Sequence, residues 1–300
     1  MYMPITQSQN KRIISLQAEF LRLKIGKDSL LSMIDEAEIS ESVYNSNAIE
    51  NSTLTLRETE KILLELEVSR NVSLREVYEA KNLARVIGYI RDKALTEELK
   101  KSLILLLHQM LMTNINDSIA GRFRGTNEFV RVGTHIAPAP EHIERLLESA
   151  INDYISDNKS FITDKIARFH LEFERIHPFN DGNGRIGRVL VNFLFIRAGL
   201  PPITIFNKDK HKNYYLGFQE YERSKKTAIM EKTVALQIQE SLHKRIAYLQ
   251  GDEVINLMDY AREKNISPTA LLNSSRRQTI PAFREKGKWK IGDSYKLKKK

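Results

Sequence analysis

Apolar residues recur every three or four positions along most of the chain, the spacing that places them on one face of an α-helix. The pattern is clearest over 74–92, 96–112, 164–176 and 184–198, and it predicts further helices over 35–51 and through the tyrosine-rich 213–221. Glycine and proline are sparse and fall at boundaries, as at 199–202. Strand-like alternation is confined to 127–136, just before the stiff Ala137-Pro-Ala-Pro140. This predicts a short hairpin projecting from a helical body.

Composition narrows the class. The chain has 300 residues, 41% of them hydrophobic, enough to bury a core in one large domain or in one domain with an appendage. It has no cysteine, which excludes disulfides and thiolate metal sites. There is no run of 18 apolar residues, and the expectation is a soluble, cytoplasmic protein. The formal charge of +9 is unevenly spread: residues 261–300 carry twelve basic and three acidic side chains, and the other 260 carry 35 of each. All the excess positive charge therefore sits in a C-terminal module whose partner is expected to be acidic. There, 255–264 and 267–279 predict two short helices, with Pro268 acceptable in the first turn of the second. A basic, Gly-tipped hairpin and a lysine tail follow. Helix, turn, helix and hairpin resemble a small winged-helix unit. Arg276 and Arg277 would lie late in its second helix, with Lys286, Lys288 and Lys290 on the wing, an arrangement suited to DNA phosphates. Packing or docking to protein uses the same shape.

The chemistry is concentrated in His177-Pro-Phe-Asn-Asp-Gly-Asn-Gly-Arg-Ile-Gly-Arg188. Gly182 and Gly184 allow a sharp turn and a close backbone approach to a ligand. A helix begins near Gly184, and its unpaired N–H groups attract phosphate. Arg185 and Arg188, three apart, can clamp phosphate oxygens. Asp181 is a hard oxygen ligand suited to Mg²⁺ shared with phosphates. His177 can take a proton near neutral pH. These parts describe an enzyme of phosphate bonds.

The dodecamer resembles the signature of the Fic/Doc family. The resemblance implies an all-α, Fic-type helical core with a short β-hairpin flap, here joined to the C-terminal winged-helix-like domain. It implies a nucleotidyltransferase that moves AMP from ATP to a Ser, Thr or Tyr hydroxyl of a target protein, including itself, and releases pyrophosphate. In that reading His177 is the base and Asp181 holds Mg²⁺ (or Mn²⁺). Gly182, Asn183, Gly184, Arg185, Ile186, Gly187 and Arg188 line the nucleotide, with Tyr214 and Tyr215 as its aromatic wall. Glycine at 184 fits this branch, since the branch that transfers phosphate has lysine there. The hairpin matches the family's flap, preceded by the family-like Gly121-Arg-Phe-Arg124. Val130, Arg131, Val132 and Gly133 would pair with an extended target segment. The flap is longer than usual, with Ala137 where a second proline is common. Glu222 stands where relatives often have asparagine. His170 and Glu174 are common in relatives and read as helix-packing residues.

Ser46-Asn-Ala-Ile-Glu50-Asn51 fits the family's inhibitory pattern, and its place upstream of the flap matches relatives with an N-terminal inhibitory helix. Ser46 and Glu50 are four apart and share a face. A carboxylate from Glu50 on Arg188 would occupy the guanidinium that ATP needs. The same site can also remove AMP, and an alternative is a DNA-binding regulator whose Fic body senses nucleotide. The expected organisation is an N-terminal helical region, 1–95, with the inhibitory helix at about 36–51, a catalytic core at 96–250 and the basic module at 252–300. The candidate partners are the target protein, a second copy of the chain and DNA, with no membrane.

Overall fold

A computed structural model of the chain describes residues 7–65 and 72–296. The predicted lysine tail at 298–300 lies outside them. Twelve helices run in order through the described residues: α1 Gln7–Leu23, α2 Asp28–Ile49, α3 Leu56–Glu60, α4 Leu74–Lys93, α5 Lys101–Met112, α6 Ile143–Ser156, α7 Ile162–Ile176, α8 Asn183–Arg197, α9 Tyr215–Ser224, α10 Ala228–Gln250, α11 Leu257–Glu263 and α12 Pro268–Arg276. Two small antiparallel sheets interrupt them: β1 Arg131–Val132 with β2 His135–Ile136, and β3 Val254–Asn256, β4 Ala282–Glu285 and β5 Lys288–Gly292 in the order β3-β5-β4. The fold is all-α with minor strands. Among the described residues no helix is long and apolar enough to cross a membrane.

The chain divides into two compact units. One takes in Ile39–Val234, the other the described residues of Ile5–Glu38 and Ala235–Lys300. The boundaries fall inside α2 and α10, away from the breaks expected near 95 and 252.

In the first unit α8 is central. Eleven of its fifteen residues are buried, including Ile186, Val189, Leu190, Phe193, Leu194 and Phe195. It packs against α4, α5 and α7, and α6 backs α7. Helix α7 buries one stripe, Ile166, Phe169, His170, Phe173 and Ile176, as its spacing dictates. Helix α5 starts at Lys101 rather than 96, because Thr96 and Glu97 bond back to Lys93 O and close α4 first. The segment after α2 is tied to α4 through Glu76, whose Oε1 accepts from Thr53 N at 2.7 Å and from Ser52 Oγ at 3.1 Å.

In the second unit Leu257, Tyr260, Leu271, Ile280, Ala282 and Ile291 form a small core of their own. The sequence pattern began the helix at Ile255, inside the strand Val254–Asn256. These residues instead pair with β5, Val254 opposite Gly292 and Asn256 opposite Lys290, so α11 begins only at Leu257. A long-range strand partner decided this, and helical periodicity cannot register one. Arg245 is about 1% exposed and donates to Asp35 at 2.5 Å and Glu38 at 2.6 Å. Removing one member of a buried ionic group leaves the rest uncompensated. Arg245→Ala is therefore expected to lower stability by about 3 kcal/mol or more, read as a reduced urea midpoint.

Candidate active site

A sharp connection between α7 and α8 builds the site. His177 follows the last residue of α7 in the left-handed conformation (φ 49°, ψ 61°) and bonds back through its N–H to Phe173 O at 3.0 Å. The chain then turns to Gly182 at φ 83°, a value open to glycine, and α8 starts. Asn183 locks the turn: its Oδ1 accepts from Phe179 N at 2.8 Å and its Nδ2 donates to Phe179 O at 2.7 Å. The His108 ring stacks on Phe179 at 3.6 Å. Its Nδ1 accepts from Gly121 N at 3.1 Å, so Nε2 carries the proton and donates to Asp181 O at 3.0 Å.

Arg124 joins this loop to the hairpin. Its Nε donates to His177 O at 2.9 Å, Nη1 to Glu128 O at 2.8 Å and Nη2 to Pro138 O at 2.9 Å. One buried guanidinium thereby positions both the histidine loop and the base of β1–β2. Neither His108 nor Arg124 was singled out as an organiser from the sequence. Their partners are backbone carbonyls and amides some distance away along the chain, which leave no local signal.

A cavity of about 510 Å³ lies beside the loop. His177, Gly184 and Arg188 line it, with Val132 and Gly133 from the hairpin and Tyr214, Tyr215 and Phe218 from the following wall. His177 Nδ1 lies 3.2 Å from Glu174 O, and an N–H donated there leaves the Nε2 lone pair available. Burial lowers the His177 pKa to about 4, so the ring is neutral at pH 7. Glu174 also lines the cavity. Its Oε1 has no hydrogen-bond partner among the described residues, and burial followed by the nearby Glu50 charge pushes its pKa up to about 8. The sequence reading of Glu174 as a packing residue missed this.

Glu50 reaches the same place from α2. Arg188, about 7% exposed, donates from Nε to Ser46 Oγ at 2.9 Å and from Nη2 to Ser46 O at 2.9 Å and Glu50 Oε1 at 2.8 Å. The carboxylate also lies over the first turn of α8: a Cβ on Gly184 would stand 2.1 Å from Glu50 Oε1. Only glycine permits that approach. The end of α2 is tied down by the cavity wall as well, since Tyr215 Oη donates to Ile49 O at 3.1 Å and Lys210 Nζ to Ala48 O at 3.2 Å. These bonds satisfy carbonyls that a helix end leaves open.

The remaining motif residues diverge. Arg185 pairs with Asp181 Oδ1 at 2.9 Å and Glu79 Oε1 at 3.1 Å, so the two arginines have separate partners and do not clamp one point. Asp181 Oδ2 binds Arg75 Nη2 at 2.7 Å. Burial raises the Asp181 pKa, but Arg185 and Arg75 outweigh it and the carboxyl is held below its ordinary value. Ile186 is in the core, and Gly187 packs against Glu174 and His170. Tyr214 is buried, its Oη 2.8 Å from His170 Nε2. In the hairpin, Val130 O accepts from Ala137 N at 3.1 Å and Arg131 Nε donates to Gly133 O at 2.8 Å. Glu222 lies beside the hairpin tip, with Thr134 Oγ1 3.4 Å from its Oε2. Among the described residues no three His, Asp or Glu side chains gather to hold a metal ion.

Residues 98–195 match the profile of the Fic/DOC family. The chain is 34% identical over 177 residues to a protein adenylyltransferase Fic of Nematostella vectensis, covering 57% of this chain and 41% of that protein. It is 30% identical over 212 residues to the Culex quinquefasciatus protein of the same name, covering 66% and 42%. The chain thus spans about two fifths of the length of these relatives. A Fic-domain-containing signaling protein from Bacteroides thetaiotaomicron superposes with a TM-score of 0.73 at 26% identity, over 80% of this chain and 97% of that one. A Fic family protein from Desulfovibrio desulfuricans shares the fold, with a TM-score of 0.67 at 18% identity over 99% of both chains.

The buried groups set opposite pH dependences. Burial lowers the pKa of His170 to about 3 and of His177 to about 4, so below 6.5, their ordinary value, the unfolded state takes up protons that the folded state refuses. Stability is expected to fall as pH drops from 6.5 towards 4, by at most about 1.4 kcal/mol per pH unit for each ring. Glu174 acts in the other direction: its contribution is complete below 4.5 and lost as pH rises through about 8. Urea midpoints across this range should show both limbs, and Glu174→Gln should remove the alkaline one.

Proposed function

We propose that this chain, which carries a Fic/DOC-family domain at residues 98–195, transfers AMP from ATP to a protein hydroxyl and is held back by Glu50. The observation that carries the reading is the meeting of neutral His177, the α8 N-terminus and Arg188 in one cavity, with the Glu50 carboxylate lying where phosphate would bind. Relatives named protein adenylyltransferase support the reaction class.

The phosphates of ATP replace the Glu50 carboxylate. Backbone N–H groups in the first turn of α8 receive them, and Arg188 takes the outermost phosphate, for the same electrostatic reasons that it takes Glu50. Tyr214 and Tyr215 form the wall for the base and ribose. A Ser, Thr or Tyr hydroxyl, delivered by a target strand laid along β1–β2, attacks the α-phosphorus. His177 Nε2 takes the hydroxyl proton as the new O–P bond forms, the bond to the β-phosphate oxygen breaks and pyrophosphate leaves. The proposed targets include the chain itself, as a second copy. Asp181, kept ionised by its arginines, is the residue that would hold Mg²⁺ or Mn²⁺. Arg75 is 58% exposed and can give way to the ion. When bound, the ion neutralises charge on the departing phosphates.

Glu50 restrains this reaction by satisfying Arg188 before ATP does. Glu50→Gly is expected to raise self-labelling from ATP carrying a labelled α-phosphate by at least about tenfold, the change that about 1.4 kcal/mol of relieved competition produces. Adding His177→Ala should return labelling to background. Unchanged labelling in the single variant would remove the brake, and persistent labelling in the double variant would remove His177 as the base.

A further inference from the structure

We infer that α12 and the β4–β5 hairpin form a docking surface for duplex DNA, with α12 as the helix that enters the major groove. The surface belongs to the second unit and lies outside the catalytic reading.

The local fold presents α12 outward. Leu271 and Ser275 are buried, and Leu271 joins the small core with Tyr260, Ile280 and Ile291. The opposite side exposes Thr269, Ala270 and Asn273 and ends in Arg276 and Arg277, also exposed. These nine residues span about 14 Å at a helical rise of 1.5 Å each, and the major groove, about 12 Å wide, admits such a helix. A methyl-bearing Thr or Ala can contact the thymine methyl, and Asn can bond an adenine edge through two hydrogen bonds. The exposed face thus carries side chains that read bases, with cations at its end that hold phosphate.

The hairpin adds a second cationic flank. Lys286 and Lys288 are exposed on either side of its Gly287 tip. Behind the tip, Arg284 donates to Glu240 at 2.7 Å and lies over the Trp289 ring, and Lys290 pairs with Glu285. Exposed positive charge thus stands at the end of α12 and at the hairpin tip. No Asp or Glu occurs from 264 to 284, the stretch that contains α12.

An acidic protein fits this surface less well. Protein interfaces are anchored at their centre by Trp, Tyr and Arg packed into desolvated pockets, usually with apolar neighbours. Among the described residues of 252–296, the one large hydrophobic side chain that stands exposed is Met258, on α11 rather than α12. Duplex RNA fits no better, because its deep, narrow major groove does not admit a helix. A neutral polar ridge flanked by cations matches a DNA groove flanked by its phosphate strands.

The test is binding of the full chain to a fluorescently labelled, mixed-sequence DNA duplex, measured by anisotropy between about 50 and 200 mM KCl. The affinity should fall steeply with salt. Arg276→Glu with Arg277→Glu should weaken binding by more than about tenfold and reduce the log–log salt slope by about two. Asn273→Ala should leave binding to mixed sequence intact while flattening the preference among duplexes recovered by selection. Circular dichroism of each variant against the parent confirms folding. Absence of binding at the lowest salt, equal affinity of the doubly substituted chain, or preferential binding of an acidic polypeptide by the same residues would each overturn the proposal.

Discussion

A buried cation has to be paired, and Arg188 is that cation. Its guanidinium is almost wholly withdrawn from water, where an uncompensated charge is costly. With no phosphate present the protein supplies Ser46 and Glu50 from α2, and these bonds complete the arginine. In the proposed reaction, inhibition and substrate affinity share one cause, the demand of the same guanidinium for an anion. A ligand shifts the balance by its differential affinity for the two states. Under the proposed function that differential is the gain of phosphate on Arg188 and the α8 N-terminus, less the cost of expelling the Glu50 carboxylate.

The second constraint is that the histidine loop must hold its shape without ligand. Gly182 supplies the positive φ, Asn183 bonds both ends of the turn, His108 stacks beneath Phe179 and Arg124 grips the carbonyl of His177. The side chains of several motif residues thus hold the loop in shape. Asn183 is committed to Phe179, Arg185 to Asp181 and Glu79, and Ile186 to the core. The hydrogen bond from Nδ1 to a carbonyl and the depressed pKa leave His177 with a free lone pair at neutral pH. Because Arg124 also holds the base of the hairpin, hairpin and histidine are registered to each other through one side chain.

If Glu50 is the brake and Tyr214 and Tyr215 the nucleotide wall, as proposed, the two are coupled through the end of α2. Tyr215 and Lys210 bond its terminal carbonyls, and Tyr215 faces the cavity. The cavity wall and the end of α2 are thereby physically connected. Glu174, protonated at neutral pH, adds a second carboxyl close to the Glu50 charge without a second negative charge. A carboxylate at both places would be strongly unfavourable in so dry a site.

Helical periodicity, the glycines of the turn and the chemical sequence of the motif are local properties, so the sequence by itself determined the helical class, the position of the histidine loop and phosphate-bond chemistry as the candidate activity. The four-residue spacing of Ser46 and Glu50 likewise put both on one helical face. What their side chains meet was settled only by tertiary structure: Arg188 received both from a segment some 140 positions earlier, while Arg185 turned to Asp181 and Glu79. The strand at 254–256, the organising roles of His108 and Arg124, and the lone Glu174 oxygen were likewise invisible beforehand. The physical reason is common to all of them. Hydrogen-bond partners, burial and the pKa values they set arise between segments far apart in the chain, and a local pattern carries no record of which segments come to share a dry cavity.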